Sequence, residues 1–435
     1  MRLLPRPHSR SYLSPLRALS ALPLSAPRAA VHSRASTVSP SPPSFYQNRI
    51  LEHYASQDTK RVTLRQLTVF GRTLTEDKLI RSANYVRNEL PVRLAHRIFD
   101  FQHLPFIVGT NPHIELMYNL YWEAFERFRA VPAITTLAQN RDFCALIQSM
   151  LDTHLVAIPQ LAMGIAESGA HMSPEDANRF MNEMLRSRIG RRVLAEQHIA
   201  LSNVFEGTTP QREGFIGIVS TRCRPREIVD RCTRLAGKVV REATGVEPPA
   251  VTIDGDDDAT FTYIPDHIDY IVFELLKNSM HHTIEKHAAA LARASDPPPP
   301  TTRRGTELPP PTLQTPHPPL PPIRVTLGSA EDTIMFRVSD QGGGIPRATL
   351  DSMWSYTHPS KSRFLNFSLM PRLAAKVDES EIVPPTLHLG LGLPMSRIYA
   401  GYWGGELSLQ SMVGYGTDAY VALGVGNGVE RLEYE

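Results

Sequence analysis

The chain has 435 residues, 42% of them hydrophobic and 21% charged, which is long enough for two domains with separate cores. No run of eighteen apolar residues occurs, so the sequence predicts no membrane span. Residues 1–44 contain six Arg and no acid, leaving 40 basic and 44 acidic side chains in the remainder. That balance lacks the basic footprint of a nucleic-acid-binding protein.

Residues 1–40 have the composition of a mitochondrial transit peptide. Their arginines alternate with Leu, Ala and Ser, and the first acidic residue of the chain is Glu52. Prolines and arginines interrupt every apolar stretch that could serve as a secretory signal. We expect this segment to direct the protein to mitochondria and to lie outside the fold; a disordered basic tail is the alternative.

From residue 45 to about 205, apolar residues recur every three or four positions, which predicts helices. We expect four long ones, over residues 74–98, 113–128, 134–161 and from 173 through 185. Ser173-Pro174-Glu175-Asp176 has the N-cap residue, first-turn proline and acidic residues of a helix start. Short links between long helices favour an antiparallel four-helix bundle.

Between residues 213 and 425 strands alternate with helices, so the whole chain is predicted to be α+β. We expect an α/β sandwich in this half, with one mixed sheet and helices on one face. Strands are expected at residues 215–219, 250–253, 261–264, 323–327 and 333–339, with the third returning beside the second in a hairpin. Residues 293–322 interrupt the domain with a proline-rich stretch that cannot form a packed element.

Glu274 and Asn278 lie four residues apart in a predicted helix, so both project from one face. Asp340 ends a predicted strand and precedes three glycines, which allow a sharp turn and close approach to a ligand. Each pattern alone also fits ordinary surface or an ordinary turn. Together, and followed by a second glycine turn, they favour nucleotide binding.

The second turn, Gly390-Leu391-Gly392-Leu393, opens a predicted helix whose free N–H groups can bind phosphate. Residues 346–389 between the two turns show little periodicity, which is typical of a functional lid or of disorder. No P-loop sequence is present. The acidic cluster after residue 253 does not follow the calcium-loop pattern, and His281, His282 and His287 favour a polar helix surface over a metal site.

In order and spacing, these motifs and Gly414–Asp418 resemble the N, G1 and G2 boxes of the GHKL ATP-binding fold, which bacterial histidine kinases, gyrase and heat-shock chaperones share. Residues 89–97 (ELPVRLAHR) and 104–109 (LPFIVG) resemble the mitochondrial 2-oxoacid dehydrogenase kinases, as do residues 392–411. The resemblance is strongest to the branched-chain type and next to the pyruvate type. It spans about residues 45–423, apart from the proline-rich stretch.

This resemblance implies a role for each site residue. Glu274 would be the general base that deprotonates a substrate serine, Asn278 would bind both the nucleotide and Mg²⁺, and Asp340 would bind adenine. The remaining nucleotide contacts would come from the two glycine turns and the strand that follows them: Gly342, Gly344, Gly390, Leu391, Gly392, Leu393 and Thr417. The cofactors implied are therefore ATP and Mg²⁺.

Four positions depart from the pattern of the family, because Gln341 and His281 replace arginines and Leu389 and Leu391 replace aromatic residues. Tyr270, four residues before Glu274, matches the branched-chain type. The resemblance therefore implies a serine kinase of the mitochondrial matrix that inactivates a 2-oxoacid dehydrogenase complex by phosphorylating its E1α subunit, with the branched-chain complex favoured over the pyruvate complex.

The same resemblance implies a homodimer whose helical half, residues 45–205, docks the lipoyl domain of the E2 subunit. Two other functions stay open at this stage. An autophosphorylating histidine kinase would need a phospho-acceptor His followed by an acid, which His96-Arg97-Ile98 lacks. A non-catalytic ATP-gated scaffold would bind nucleotide without transferring phosphate.

Overall fold

The computed structural model describes residues 49–256, 258–295, 320–357, 390–425 and 428–431. The expected transit peptide, most of the proline-rich stretch and residues 358–389 of the expected lid lie outside these ranges. Within them, no helix combines the length and apolar character required to cross a bilayer.

The first half of the described chain is helical, as expected. The longest helices are α3 and α8, and α3 packs against both α5 and α8. The helices are α1 (Arg49–Ala55), α2 (Leu64–Gly71), α3 (Glu76–Gln102), α4 (Phe106–Gly109), α5 (Pro112–Ala130), α6 (Leu137–Thr153), α7 (Ala157–Glu167) and α8 (Pro174–Phe205).

Two of these helices differ from the sequence-based expectation. The expected run over 134–161 is divided, because a 3₁₀ turn at His154–Val156 separates α6 from α7. The last helix starts as predicted, with the Ser173 side chain accepting a hydrogen bond from Asp176 N, but it continues to Phe205 rather than ending near 185. The arrangement of the long helices as an antiparallel four-helix bundle stays a prediction.

The second half combines strands with helices and confirms the α+β class. Its elements are β1 (Phe215–Ile216), β2 (Val219–Cys223), α9 (Pro225–Thr244), β3 (Val251–Gly255), β4 (Phe261–Tyr263), α10 (Pro265–Ser295), β5 (Ile323–Ala330), β6 (Thr333–Ser339), α11 (Arg347–Ser352), α12 (Gly392–Tyr402), β7 (Glu406–Met412) and β8 (Gly416–Gly424). The larger sheet has the order β3-β5-β6-β8-β7 and is mixed, since β3 runs parallel to β5 while the other neighbours are antiparallel.

Two expectations about the strands were wrong. The single strand expected at 215–219 is two strands joined by a turn, where Gly217 has a positive φ of 60°. The hairpin expected between β3 and β4 does not form, because β4 pairs with β2 in a separate sheet of order β1-β2-β4. Alternating apolar residues identify a strand but carry little information about which distant strand it joins.

Helix α10 lies in the interior of this half and packs against α9, α12 and the strands β5 and β6. Its buried apolar residues recur every three or four positions: Ile268, Ile271, Val272, Leu275, Leu276, Met280 and Ile284. This stripe fixes the rotation of the helix and hence where its polar residues lie. The candidate site residues Glu274 and Asn278 are held on this helix.

Buried ion pairs connect the two halves through residues of the 89–97 motif. Arg93 Nε donates to Glu89 Oε1 at 3.1 Å, and its two terminal nitrogens donate to the Glu430 carboxylate at 2.5 and 2.9 Å. Glu430 also accepts hydrogen bonds from Val62 N and from the Tyr402 hydroxyl on α12. Because each buried charge is paired and hydrogen-bonded, this network fixes α12 relative to α3.

Candidate nucleotide site

Glu274 is buried on α10, with 7% of its surface exposed. Its Oε1 accepts a hydrogen bond from Lys277 Nζ at 2.6 Å, one helical turn away. Its Oε2 lies against Gly392, the first residue of α12, and a Cβ atom at position 392 would collide with it. The second glycine turn therefore brings a helix start, which favours negative charge, against this carboxylate.

Asn278 lies one turn further along α10 and is half-buried. No residue in the described ranges hydrogen-bonds to its side chain, so its amide oxygen can serve as a ligand for a hard cation. The next residue, Ser279, donates its hydroxyl to Asp340 Oδ2 at 3.0 Å. Ser279 therefore joins the turn of α10 that carries the predicted metal ligand to the predicted adenine acid.

Asp340 is held by partners from three elements. Its Oδ1 accepts hydrogen bonds from Gly342 N at 2.9 Å and Thr417 N at 3.1 Å, while its Oδ2 accepts the bond from Ser279. A carboxylate offers about four acceptor positions, so one is left for a ligand N–H such as the amino group of adenine. The Thr417 hydroxyl is hydrogen-bonded to Ser411 Oγ at 3.0 Å, beside this carboxylate.

The first glycine turn interlocks with the turn between β7 and β8. Gly343 N donates to Tyr415 O at 3.1 Å, and Gly414 N donates to Gly343 O at 2.7 Å. Gly344 has a positive φ of 72°, and a Cβ atom there would collide with Met412 O. Glycine at 344 is thus required by both the backbone conformation and the contact.

Gly342 lies beside α10, and the second glycine turn leads into α12. Gly342 packs against His282 on α10, and a Cβ atom added at position 342 would lie 3.0 Å from the His282 Cβ. Gly390 has a positive φ of 64° and is exposed. Leu391 is buried and Leu393 half-buried.

Lys286 is a site residue that the sequence reasoning missed. Its Nζ donates to the backbone oxygens of Gln341 and Gly414 at 3.1 Å each and of Tyr415 at 2.9 Å. It thus joins α10 to the first glycine turn and to the turn between β7 and β8. Its position is a usable signal: Ser279, His282 and Lys286 follow each other at three and four residues and so share one helix face.

Tyr270 lies one turn before Glu274, and its ring centroid is 5.0 Å from that of Tyr399 on α12. Burial raises the pKa of Tyr270 well above its usual value, and the Glu274 charge adds to this rise. The phenol therefore stays protonated near neutral pH and acts as a neutral neighbour of the carboxylate.

Taken together, the Glu274 carboxylate and the Asn278 amide lie on α10 between two glycine turns, and the Asp340 carboxylate is held next to this helix by backbone donors and Ser279. This arrangement fits a nucleotide site. Residues 263–426 match the family model for the histidine kinase-, DNA gyrase B- and HSP90-like ATPases. The class is thus the GHKL ATP-binding fold, and the chain binds ATP through this domain.

The helical half specifies the family. Residues 61–220 match the model described as mitochondrial branched-chain alpha-ketoacid dehydrogenase kinase. A mitochondrial pyruvate dehydrogenase (acetyl-transferring) kinase of Arabidopsis thaliana is 30% identical over 85% of this chain and 92% of its own length. Kinase 2 of Saccharomyces cerevisiae is 27% identical over 88% and 86%, and human isozyme 1 is 28% identical over 88% and 81%.

The chain belongs to the mitochondrial 2-oxoacid dehydrogenase kinases, which are protein serine kinases. It is therefore an enzyme that transfers phosphate from ATP to a protein, and its localisation is mitochondrial.

Proposed function

We propose that this kinase phosphorylates a serine of the E1α subunit of the pyruvate dehydrogenase complex in the mitochondrial matrix and thereby inactivates the complex. The names of the relatives reported above support this substrate. Tyr270 had favoured the branched-chain complex, and the family model over 61–220 carries that name. The similarity to three pyruvate-type kinases extends over 85–88% of this chain, so we give it more weight than Tyr270 and a family model that covers only the helical half.

Glu274 is the general base in this proposal. Because Lys277 occupies Oε1, Oε2 beside Gly392 is the oxygen that takes the proton of the serine hydroxyl. The buried position keeps water from competing for the phosphoryl group. Phosphoryl transfer requires chiefly positioning and charge neutralisation, so one base and a set of fixed donors are sufficient.

Asp340 holds the adenine, with Thr417 beside it, and the glycine turns with Leu391 and Leu393 place backbone groups along the phosphates. The Asn278 amide fits Mg²⁺, since a neutral oxygen ligand without a described protein partner suits a hard cation. Bound there, Mg²⁺ would neutralise charge on the triphosphate. These assignments are supported by the side chains gathered along one face of α10.

The helical half supplies docking in this proposal. Phe106 and Ile107, within the 104–109 motif, are 73% and 56% exposed, which is unusual for adjacent large apolar residues. We expect them to contact the lipoyl domain of the E2 subunit, in a kinase that is a homodimer. Phe106→Ser should weaken binding to a purified lipoyl domain at least tenfold; unchanged binding in calorimetry would contradict this contact.

The substrate is tested by offering purified pyruvate and branched-chain E1 proteins separately to the kinase with labelled ATP and Mg²⁺. We expect acid-stable label on a serine of pyruvate E1α, at a higher kcat/KM than on the branched-chain E1. Preference for the branched-chain protein would overturn the substrate. Acid-labile label on the kinase itself would indicate a histidine kinase, and ATP binding without any label would indicate a scaffold.

A further inference from the structure

Three arginines converge on a cleft of about 350 Å³ that the catalytic assignment does not use. We call it the arginine cleft. It lies where α8, α12 and β7 meet the segment that follows α11, and its polar and aromatic lining is Asn182, Arg186, Trp354, Tyr356, Arg397, Glu406 and Arg431. Glu406 is the one acidic residue among the lining residues in the described ranges, so the lining has an excess of positive charge.

Two of the guanidinium groups approach the same end of α12. Arg186 Nη2 lies 3.5 Å from a hypothetical Cβ at Gly401, and Arg431 Nη2 lies 3.9 Å from one at Gly404. Arg186 Nη1 also donates to the Arg431 backbone oxygen at 3.3 Å. Arg186 is only 9% exposed, so one cation of this group is held largely away from bulk water.

The third guanidinium group is accessible. Arg397 is exposed on α12 and stacks on Trp354, with its Cζ 4.8 Å from the ring centroid. Neither Arg397 nor Arg431 forms an ion pair with a residue in the described ranges. The two exposed like charges, Arg397 and Arg431, raise the electrostatic energy of the site, and an anion in the cleft would lower it.

The cleft is within reach of a peptide whose serine is at Glu274. Helix α12 begins at Gly392 against the Glu274 carboxylate, and Arg397 and Gly401 follow at roughly 7.5 and 13.5 Å along the helix axis. An extended peptide advances about 3.3 Å per residue, so these distances correspond to roughly two to four residues. Tyr356 lines the cleft, and its hydroxyl donates to Asn182 Oδ1 on α8 at 2.9 Å.

We propose that the arginine cleft binds an acidic side chain of the protein substrate, two to four residues from the serine that is phosphorylated. Arginine presents planar pairs of N–H donors that match a carboxylate, and such charge-assisted bonds are stronger than neutral ones. The cleft is thus a specificity determinant for acceptor sequences. This inference rests on Glu274 as the base in the proposed function.

The test uses the full-length kinase and whichever E1 protein the wild type labels. Arg397→Gln should raise the KM for E1 about tenfold, the effect of losing one charge-assisted hydrogen bond. The KM for ATP and the kcat at saturating E1 should stay within about twofold. Arg397→Lys, which keeps the charge, should recover most of the loss, and Arg234→Gln, an exposed arginine on α9, should have no effect.

A second arm identifies the partner of the cleft. Each Asp or Glu within four residues of the labelled serine of E1 is changed to its amide. One such change should raise the KM for the wild-type kinase about as much as Arg397→Gln, and combining the two should add little, because both remove the same contact. Arg397→Glu should in turn favour an E1 in which that acid is replaced by Lys.

The outcomes separate the two proposals. If the wild type labels neither E1, the proposed function fails and the inference falls with it. If E1 is labelled but its KM is unchanged by Arg397→Gln and Arg431→Gln, only the arginine cleft is refuted. A rise in the KM for ATP instead would mean that the cleft serves nucleotide phosphates, which also overturns it.

Discussion

The candidate nucleotide site along α10 has two ends, and they differ in how many of their polar groups have hydrogen-bond partners within the protein. Around Asp340, both carboxylate oxygens have partners from the glycine turn, β8 and Ser279. Around Asn278, no described residue bonds to the amide, and Glu274 has only Lys277. The proposed adenine end is therefore held by hydrogen bonds within the protein, whereas the proposed transfer end has polar groups that the substrates would complete. Substitutions at the two ends should consequently separate binding from catalysis.

The largest effect is expected at Glu274. Glu274→Gln removes the base while keeping the size of the side chain, so kcat should fall by about 10²–10⁴-fold. The affinity for ATP should change little, because the adenine end is untouched. Single-turnover transfer to E1 and a nucleotide-binding titration measure the two quantities. Glu285→Gln, on the exposed surface of the same helix, is the matched control; a large loss of ATP affinity in Glu274→Gln would refute the separation.

Asn278→Ala should have the second-largest effect, and the loss should be one of Mg²⁺ binding. Losing one oxygen ligand should raise the Mg²⁺ concentration required for half-maximal activity by about 10–100-fold, in the range seen for substitutions around metal sites. A titration of transfer rate against Mg²⁺ at fixed ATP measures it. Asn278→Asp keeps an oxygen ligand and should retain more activity than Ala at high Mg²⁺. Equal Mg²⁺ curves for wild type and Ala would remove Asn278 from the metal site.

Asp340→Asn should affect binding rather than transfer. The amide loses the charge-assisted bond to the adenine amino group, worth about 2 kcal/mol, so the Kd for ATP should rise roughly thirtyfold. At saturating ATP the transfer rate should be close to that of the wild type. Asp332→Asn, in the exposed turn between β5 and β6, controls for the loss of charge. If kcat fell while Kd stayed constant, Asp340 would belong to the transfer end.

The positions of Glu274, Asn278 and Asp340 in the fold were predictable because their sequence pattern is local. Glu274 and Asn278 are fixed by the spacing of one helix, and Asp340 by the strand end and glycines that follow it. The pairing of β4 with β2, in contrast, depends on contacts between distant segments, such as Ser220 and Tyr263, which are 43 residues apart. Lys286 shares a helix face with Ser279, but its partners are backbone oxygens 55 to 129 residues away, which the sequence does not identify.

Lys286 provides the finest test of the comparison, because it acts on the adenine end without being expected to touch nucleotide. Its ammonium group joins three backbone oxygens of the two interlocked turns, so its loss should loosen their fit around Asp340. The site is exposed, so we discount these bonds to about 1 kcal/mol in total, and the Kd for ATP should rise roughly fivefold in Lys286→Met.

The expected response is specific to the adenine end. The kcat of Lys286→Met at saturating ATP should equal that of the wild type, and Lys286→Arg should restore affinity because it keeps donors and charge at the turns. High salt should reduce the difference between wild type and Met, since the interaction is screened at an exposed site. A fall in kcat with unchanged Kd would mean that the turns are rigid without Lys286 and that the helix itself positions the transfer end, which would reverse the division of roles along α10.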